Sequence, residues 1–477
     1  MPKYSFAVED KERKITCHFN SLQDFETFCS RNGLNLTINT ESYDWVTKKK
    51  TLKRVSSKYT PKRNDFQEHW QQMPSFETIE NESFISILFI FPKDFPKETL
   101  SQIFDQNIAD QLFVYFPKYL GKEHTLLLMS DNDMKPKYPI YVVSRGRSET
   151  CLTSMFLSLM EVPHYVIVEP FEVQAYKEKL TGENGYSKYA EILELDMSYK
   201  ENYDTCDDLG TTLNAGPGGA RNFAWDHSIR NGFACHWVMD DNVKDRGFSY
   251  THANEKITIK TSSFLRIHED FVERYDNIAI SGLQYLMFVP ADRVSFPYIQ
   301  NTRIYSFLLI RNDIPYRWRG RFNEDTDLSL RVLKDGWCTL ENQVFCADKI
   351  QTQRVKGGNN EIFYKDIGTE LKSKMIADLH SDVCKVSVKF HRIHHEVNYK
   401  VFTQKLHFRD GYEPKPGVNN YGMYLINGEY ADKKLSASEL REKYKDAEKI
   451  DIEKFLPEKR ETFREFTAKK NLENLTW

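Results

Sequence analysis

The chain has 477 residues, with 66 Lys and Arg against 69 Asp and Glu, so a nucleic-acid partner has to be met by locally concentrated charge and not by the molecule as a whole. Forty percent hydrophobic and 28% charged residues fit two or three ordinary domains; no apolar run nears the ~20 residues that span a bilayer, and Met1-Pro2-Lys3-Tyr4 is not a signal-peptide start. Eight cysteines with no Cys-x-x-Cys pair argue for a reducing compartment and against a structural zinc or disulfide framework.

Residues 1–135 are expected to form a small α+β domain. Two βαβ-like stretches, one from Lys14 to Trp45 and one from Ile85 to Phe116, have the spacing of an internal repeat, although coincidence gives the same pattern. Between them Lys48, Lys49, Lys50, Lys53, Arg54, Lys58, Lys62 and Arg63 run without an acid. Such a run is either a solvated linker or an arm that binds phosphates. His69-Trp70-Gln71-Gln72-Met73-Pro74-Ser75-Phe76 resembles a short element of phage nucleic-acid-related proteins, but a loop packed by its Trp and Phe is the favoured reading.

From about residue 136 the pattern becomes strand–loop–helix alternation, predicting a domain over 136–410. An apolar strand to Val143 ends in Ser144-Arg145-Gly146-Arg147, and a helical period follows from Thr150. A glycine between two arginines at a strand-to-helix turn suits a diphosphate, because the helix start offers unpaired N–H groups and the guanidiniums offer charge. The next strand ends at Glu169, placed as a ribose or base contact. The loop Gly216-Pro217-Gly218-Gly219-Ala220-Arg221-Asn222 lets backbone approach a ligand closely, yet matches neither the Walker A nor the Gly-x-Gly-x-x-Gly pattern.

One helix later, His236 to Met239 is an apolar run that ends in Asp240-Asp241-Asn242. Hard oxygens at a strand's C-terminal rim suit Mn²⁺ or Mg²⁺, and ordinary turn chemistry gives the same residues. Farther on, Arg317-Trp318-Arg319-Gly320-Arg321 interleaves charge with aromatics just before Glu324-Asp325-Thr326-Asp327. Arginine and aromatic side chains are what a flipped base and its phosphates require, whereas acids at a helix start also serve as N-terminal stabilisers. Lys356-Gly357-Gly358-Asn359 is a second glycine turn suited to closing over a diphosphate. His391, His394 and His395 form a cluster, and residues 411–477 read as a charged helical extension.

The ordered series of Ser-Arg-Gly-Arg, Glu169, the Gly-Gly-Ala-Arg-Asn helix, Asp-Asp-Asn and Asn-Glu-Asp-Thr-Asp resembles a GT-A glycosyltransferase. More narrowly it is similar to the TET/JBP-associated glycosyltransferases over residues 136–400. The resemblance implies a GT-A-like (Rossmann-like) mixed α/β sheet flanked by helices and a UDP-sugar donor, UDP-glucose or UDP-arabinose. It further implies Mn²⁺ or Mg²⁺ held by Asp241 and Asp240, with His394 or His395 as a last ligand; Asn242 stands where the commoner motif has an acid. Asp325, with Glu324 second, becomes the acceptor-hydroxyl base. The implied acceptor is double-stranded phage DNA carrying a hydroxymethylpyrimidine, hydroxymethylcytosine first, in the cytoplasm of an infected bacterium and with no membrane partner. Arg317, Trp318, Arg319 and Arg321 would then line the DNA side, and Lys48, Lys49, Lys50 and Arg54 would hold its backbone. The alternatives are a protein O-glycosyltransferase and a non-catalytic nucleic-acid-binding protein on a degenerate transferase fold.

Overall fold

A computed structural model describes residues 12–19, 22–37, 40–52, 66–78, 85–106, 113–116, 124–210, 212, 216–289, 296–350, 368–389 and 392–455. The chain divides into two compact units, one of residues 1–63, 79–123 and 456–477 and the other of residues 64–78 and 124–455. No helix among the described residues is long and apolar enough to cross a membrane.

The smaller unit holds a five-stranded sheet of β1 (Glu12–Phe19), β2 (Thr40–Asp44), β3 (Lys50–Leu52), β4 (Ile85–Pro92) and β5 (Phe113–Phe116), in the order β3-β2-β4-β1-β5. β1 and β4 pair antiparallel along their whole length, while β2 runs parallel to β4 and β5 parallel to β1. Each half therefore lends its second strand to the other half's first strand. The core is aromatic: Phe19, Phe28, Phe89 and Phe104 pack with ring centroids 5.2–5.7 Å apart.

In the larger unit one mixed sheet of 12 strands carries the site. Its described strands are β6 (His124–Ser130), β7 (Ile140–Val143), β8 (His164–Val168), β9 (Ala190–Glu194), β10 (Cys235–Asp240), β11 (Val243–His252), β12 (Glu255–Ile259), β13 (Ile278–Tyr285), β14 (Tyr298–Gln300), β15 (Phe307–Arg311), β16 (Cys338–Lys349) and β19 (Met423–Glu429), with β17 (Cys384–Lys389) and β18 (Arg392–Val397) forming a separate hairpin. β9, β8, β7 and β10 are mutually parallel; β8, β7 and β10 are buried on both faces, whereas β9 at the sheet edge is only partly buried. Alternation explains the apolar runs: Ile140, Val142, Trp237 and Met239 enter one core with the helices Leu152–Leu159 and Ser263–Val272, whereas Tyr141 and Val238 enter a second core with the helices Gly218–Arg230 and Glu324–Lys334. The result is the α/β, GT-A-like layering expected from the sequence.

The boundaries at 135/136 and 410/411 do not coincide with those of the compact units. Residues 66–78 pack on the larger unit: Met73 is buried in its main core, Trp70 packs against Phe271 at 5.2 Å, and Arg274 donates to the Gln71 carbonyl at 2.6 Å. The His-Trp motif is thus a packing loop. Downstream, β19 pairs antiparallel with β6 and buries Leu425 and Ile426, so the region after 410 supplies a strand of the sheet as well as the short helix Ala437–Lys443.

Candidate active site

Strand direction collects the site at one rim. β7, β8, β10, β13 and β16 all end there, while β11 and β15 begin there, as the β10–β15 and β11–β16 antiparallel pairings require. Beyond the strand ends lies a cavity of about 390 Å³ lined by Ser144, Arg145, Arg147, Glu169, Arg221, Asp240, Asp241 and Asn242 on one side and by Tyr285, Phe288, Tyr305, Glu324, Asp325, Lys349, Lys372 and His395 among the rest. Its size is that of a small-molecule site, and its place outside the carboxyl ends of parallel strands is where open α/β sheets bind ligands.

The two carboxylates at the end of β10 diverge. Asp240 meets the helix Gly218–Arg230 through Arg221, whose Nη2 donates to Oδ1 at 2.8 Å, and meets Lys349 at the end of β16, whose Nζ donates to Oδ2 at 2.5 Å. Ser306 Oγ adds a hydrogen bond to the same Oδ2 at 2.7 Å. Burial opposes ionisation of Asp240, but Lys349 and Arg221 outweigh it and hold the carboxyl well below the usual range. Asp241 turns to the other side, where Ser144 Oγ donates to Oδ2 at 2.6 Å and Arg147 pairs with Oδ1. Burial pushes its carboxyl up, with Arg147 and Ser144 offsetting part of the effect.

Arg221 joins the two acidic motifs. Besides Asp240 it reaches Glu324 Oε1 at 3.0 Å, and its guanidinium lies 4.6 Å above the ring of Trp318. A buried guanidinium with two carboxylate partners is rigid and stays charged. Next to Glu324, burial and then the Glu324 charge raise Asp325 to about 7, and Arg221 and Lys372 only partly offset them. Thr326 N–H donates to Asp325 Oδ1 at 2.8 Å, which fixes the carboxyl at the helix start. Asp327, two residues on, is fully buried between Arg331, Arg319 and His380 and locks the helix in place.

At the Ser144-Arg145-Gly146-Arg147 turn, Arg145 pairs with Glu169 at 3.1 Å and Lys200 pairs with the same Oε1, so Glu169 draws two cations to the wall of the cavity. Several expected residues have other duties. Gly218 and Gly219 do not line the cavity; a Cβ on Gly218 would lie 1.9 Å from the Tyr203 hydroxyl, and one on Gly219 would lie 2.8 Å from the Tyr199 carbonyl. These glycines let the helix start close against residues 199–203 and do not serve ligand approach. Asn222 exchanges hydrogen bonds with the Trp318 backbone at 2.9 and 2.8 Å and clamps the following loop.

The arginine-aromatic stretch is likewise corrected in part. Trp318 is only 2% exposed and has Arg221 on its face, so it offers no stacking surface. Arg321 is buried against Asp207 at 2.6 Å, although it borders the cavity. Arg317 pairs with Asp226 at 3.1 Å and Arg319 with Asp327 at 3.2 Å. Of the two histidines, His395 lines the cavity, where burial, then Lys372, Arg303 and His394, lower it to about 4; His394 is exposed one residue before it on β18. A low value keeps the imidazole neutral. In the smaller unit Lys48, Lys49 and Lys50 are exposed, with the Lys48 ammonium 5.1 Å above Trp45. Arg54, Gly357, Gly358 and Asn359 lie outside the described residues.

Lys349, Tyr285, Tyr305 and Lys372 were not anticipated. Lys349 carried a signal, since Val344 to Ala347 is an apolar run ended by Asp348-Lys349, the same strand-end pattern as Asp240.

As a metal site the donors have the right chemistry. The oxygens of Asp240 are hard, and Asn242 Oδ1 is buried without a hydrogen-bond partner. Among the described residues no three His, Cys, Asp or Glu side chains converge as a metal site, so His395 does not complete one with the aspartates. Mg²⁺ and Mn²⁺ are satisfied by one or two carboxylates together with substrate phosphates and water, which is the set available here once Lys349 yields Asp240 Oδ2.

The layered sheet, the rim of cations around a carboxylate pair and the acidic helix start opposite it define a GT-A-like glycosyltransferase. Residues 138–358 match the family described as TET-Associated Glycosyltransferase, so this stretch is a domain of that family's kind. No curated protein matches the chain.

Proposed function

We propose that the protein moves a sugar from UDP-glucose or UDP-arabinose to the hydroxymethyl group of a hydroxymethylpyrimidine, hydroxymethylcytosine first, in double-stranded phage DNA. One observation carries the reading: Arg147 and Arg221 pair with the Asp240-Asp241 strand end in the same cavity as Asp325, a carboxyl raised to about 7. Charge develops on the diphosphate as the sugar leaves, and fixed cations in a recessed site stabilise it with little reorganisation. The acceptor oxygen bonds the sugar C1 while the C1–O bond to the diphosphate breaks and its electron pair stays on UDP. The hydroxyl proton passes to Asp325, whose value near neutrality suits a general base.

Mn²⁺ or Mg²⁺ is part of this proposal, held by Asp240 and Asn242 Oδ1 in the place of the Lys349 ammonium, and when bound it would add Lewis-acid neutralisation of the diphosphate. The exposed Lys48, Lys49 and Lys50 provide phosphate contacts of the salt-dependent, sequence-independent kind. The reaction belongs in the cytoplasm of an infected bacterium, where such DNA is made.

The test is UDP release from each donor in the presence of otherwise identical hydroxymethylcytosine and cytosine duplexes. Release that rises at least tenfold with the hydroxymethylated duplex is expected; equal release with both duplexes for every donor would remove the acceptor from the proposal.

A further inference from the structure

Three rings line the acceptor side of the cavity in a near-parallel series. Tyr285, at the end of β13, stacks on Tyr305 with centroids 6.2 Å apart and planes at 27°. On its other neighbour, Phe288, the centroids are 5.9 Å apart and the planes at 23°. All three border the cavity, and Phe288 is 52% exposed beside Met287, which is 50% exposed. An apolar ring with half its surface in water at the mouth of a charged cavity is not there for the core.

The inner rings are fixed from behind. The Tyr285 hydroxyl hydrogen-bonds Ser306 Oγ at 2.6 Å, and the Lys349 ammonium lies 5.2 Å over its ring. Tyr305 carries the Arg303 guanidinium 5.1 Å over its ring, and its hydroxyl lies 3.4 Å from Thr326 Oγ1, next to Asp325. The series therefore runs from solvent at Phe288 to the helix start that holds the base. Polar groups surround the two tyrosines, whereas the outer end is an apolar ring with about half its surface exposed.

We propose that Phe288 is the stacking platform for the acceptor nucleobase, extruded from its helix and laid on the outer end of the Phe288–Tyr285–Tyr305 series with its hydroxymethyl group directed toward Asp325. The inference rests on the acceptor assigned above. A planar ring fits because the series is already built of near-parallel planes at stacking separations, and every base offers a flat face to an aromatic side chain. This assignment also explains where stacking occurs once Trp318 is buried.

Two measurements test it on the full chain. The first compares Phe288→Ala and Phe288→Trp for the KM of a hydroxymethylcytosine oligonucleotide and, separately, for UDP affinity by calorimetry. The expected result is a KM at least tenfold higher for Phe288→Ala, a value within about twofold of the natural protein for Phe288→Trp, and UDP affinity unmoved in both. The second titrates the protein into an oligonucleotide with 2-aminopurine at the target position. Its fluorescence should change on binding to the natural protein and to Phe288→Trp, and fail to change with Phe288→Ala. Sugar transfer with an unaltered KM and an unaltered fluorescence response in Phe288→Ala overturns the platform alone. No transfer to any DNA and no fluorescence response in the natural protein overturns the acceptor reading and the platform with it.

Discussion

Asp325 shows how one side chain trades stability for chemistry. Its folded value of about 7 lies above the ordinary 3.8, so the protonated form favours folding and the ionised form, which the proposed transfer needs, disfavours it. Stability from this group is complete below about pH 4 and is lost as the pH rises through 7, while activity should climb over that same upper limb. Asp325→Asn keeps the shape and removes the base. We expect kcat to fall roughly 10²- to 10⁴-fold, the scale of a general base, together with a higher melting temperature at pH 8. Lost activity without the gain in melting temperature would mean that the carboxyl is not destabilised where it sits. Lys349 gives a second residue-scale expectation, because its ammonium occupies the Asp240 oxygen that a divalent ion would take. With UDP present, Lys349→Met should bind Mn²⁺ about tenfold more tightly by calorimetry, near 1.4 kcal/mol. Unchanged or weaker binding would contradict the exchange.

At the level of elements, the helix Gly218–Arg230 owes its place to two glycines that touch protein and not ligand. Gly218→Ala must push Tyr203 from its hydrogen bond to the Gly320 carbonyl, 2.9 Å away, and shift the turn that carries Arg221. A loss of about 1–3 kcal/mol in urea unfolding follows from such overpacking, and an unchanged midpoint would refute the packing role. The same helix marks what a sequence can and cannot say. The strand ends at Ser144, Glu169 and Asp240 were legible because an apolar run that stops at a polar residue fixes both the strand and its rim. Glycine density was legible too, but not whose atoms fill the space a missing Cβ leaves. Arginine-aromatic interleaving was ambiguous in the same way, for Arg221 over Trp318, Arg317 over Trp225 and Arg331 over Tyr316 are stacks of the protein on itself. Lys349 and Tyr285 meet Asp240 through strand order across the sheet, which local pattern does not encode.

For the whole molecule, the sheet is completed from far along the chain. β19 covers β6, and behind it Arg441 ties Asp133 and Glu161 together at 2.8 and 3.2 Å. A chain ended at residue 410 would expose the β6 edge and the apolar residues that Leu425 and Ile426 cover, so it should lose cooperative unfolding or aggregate; a melting temperature equal to that of the full chain would show that β19 is dispensable. The sequence placed a boundary at this point because Pro414-Lys415-Pro416-Gly417 breaks regular structure, and a break in local structure is not a break in the sheet. What this fold supports at its rim is best decided by nucleoside mass spectrometry of hydroxymethylcytosine DNA incubated with Mn²⁺ and UDP-glucose or UDP-arabinose, beside the Asp325→Asn variant. A nucleoside heavier by one hexose or pentose, and absent with the variant, is the expected result. An unmodified nucleoside with every donor, from protein that binds the DNA, would contradict transfer to this acceptor.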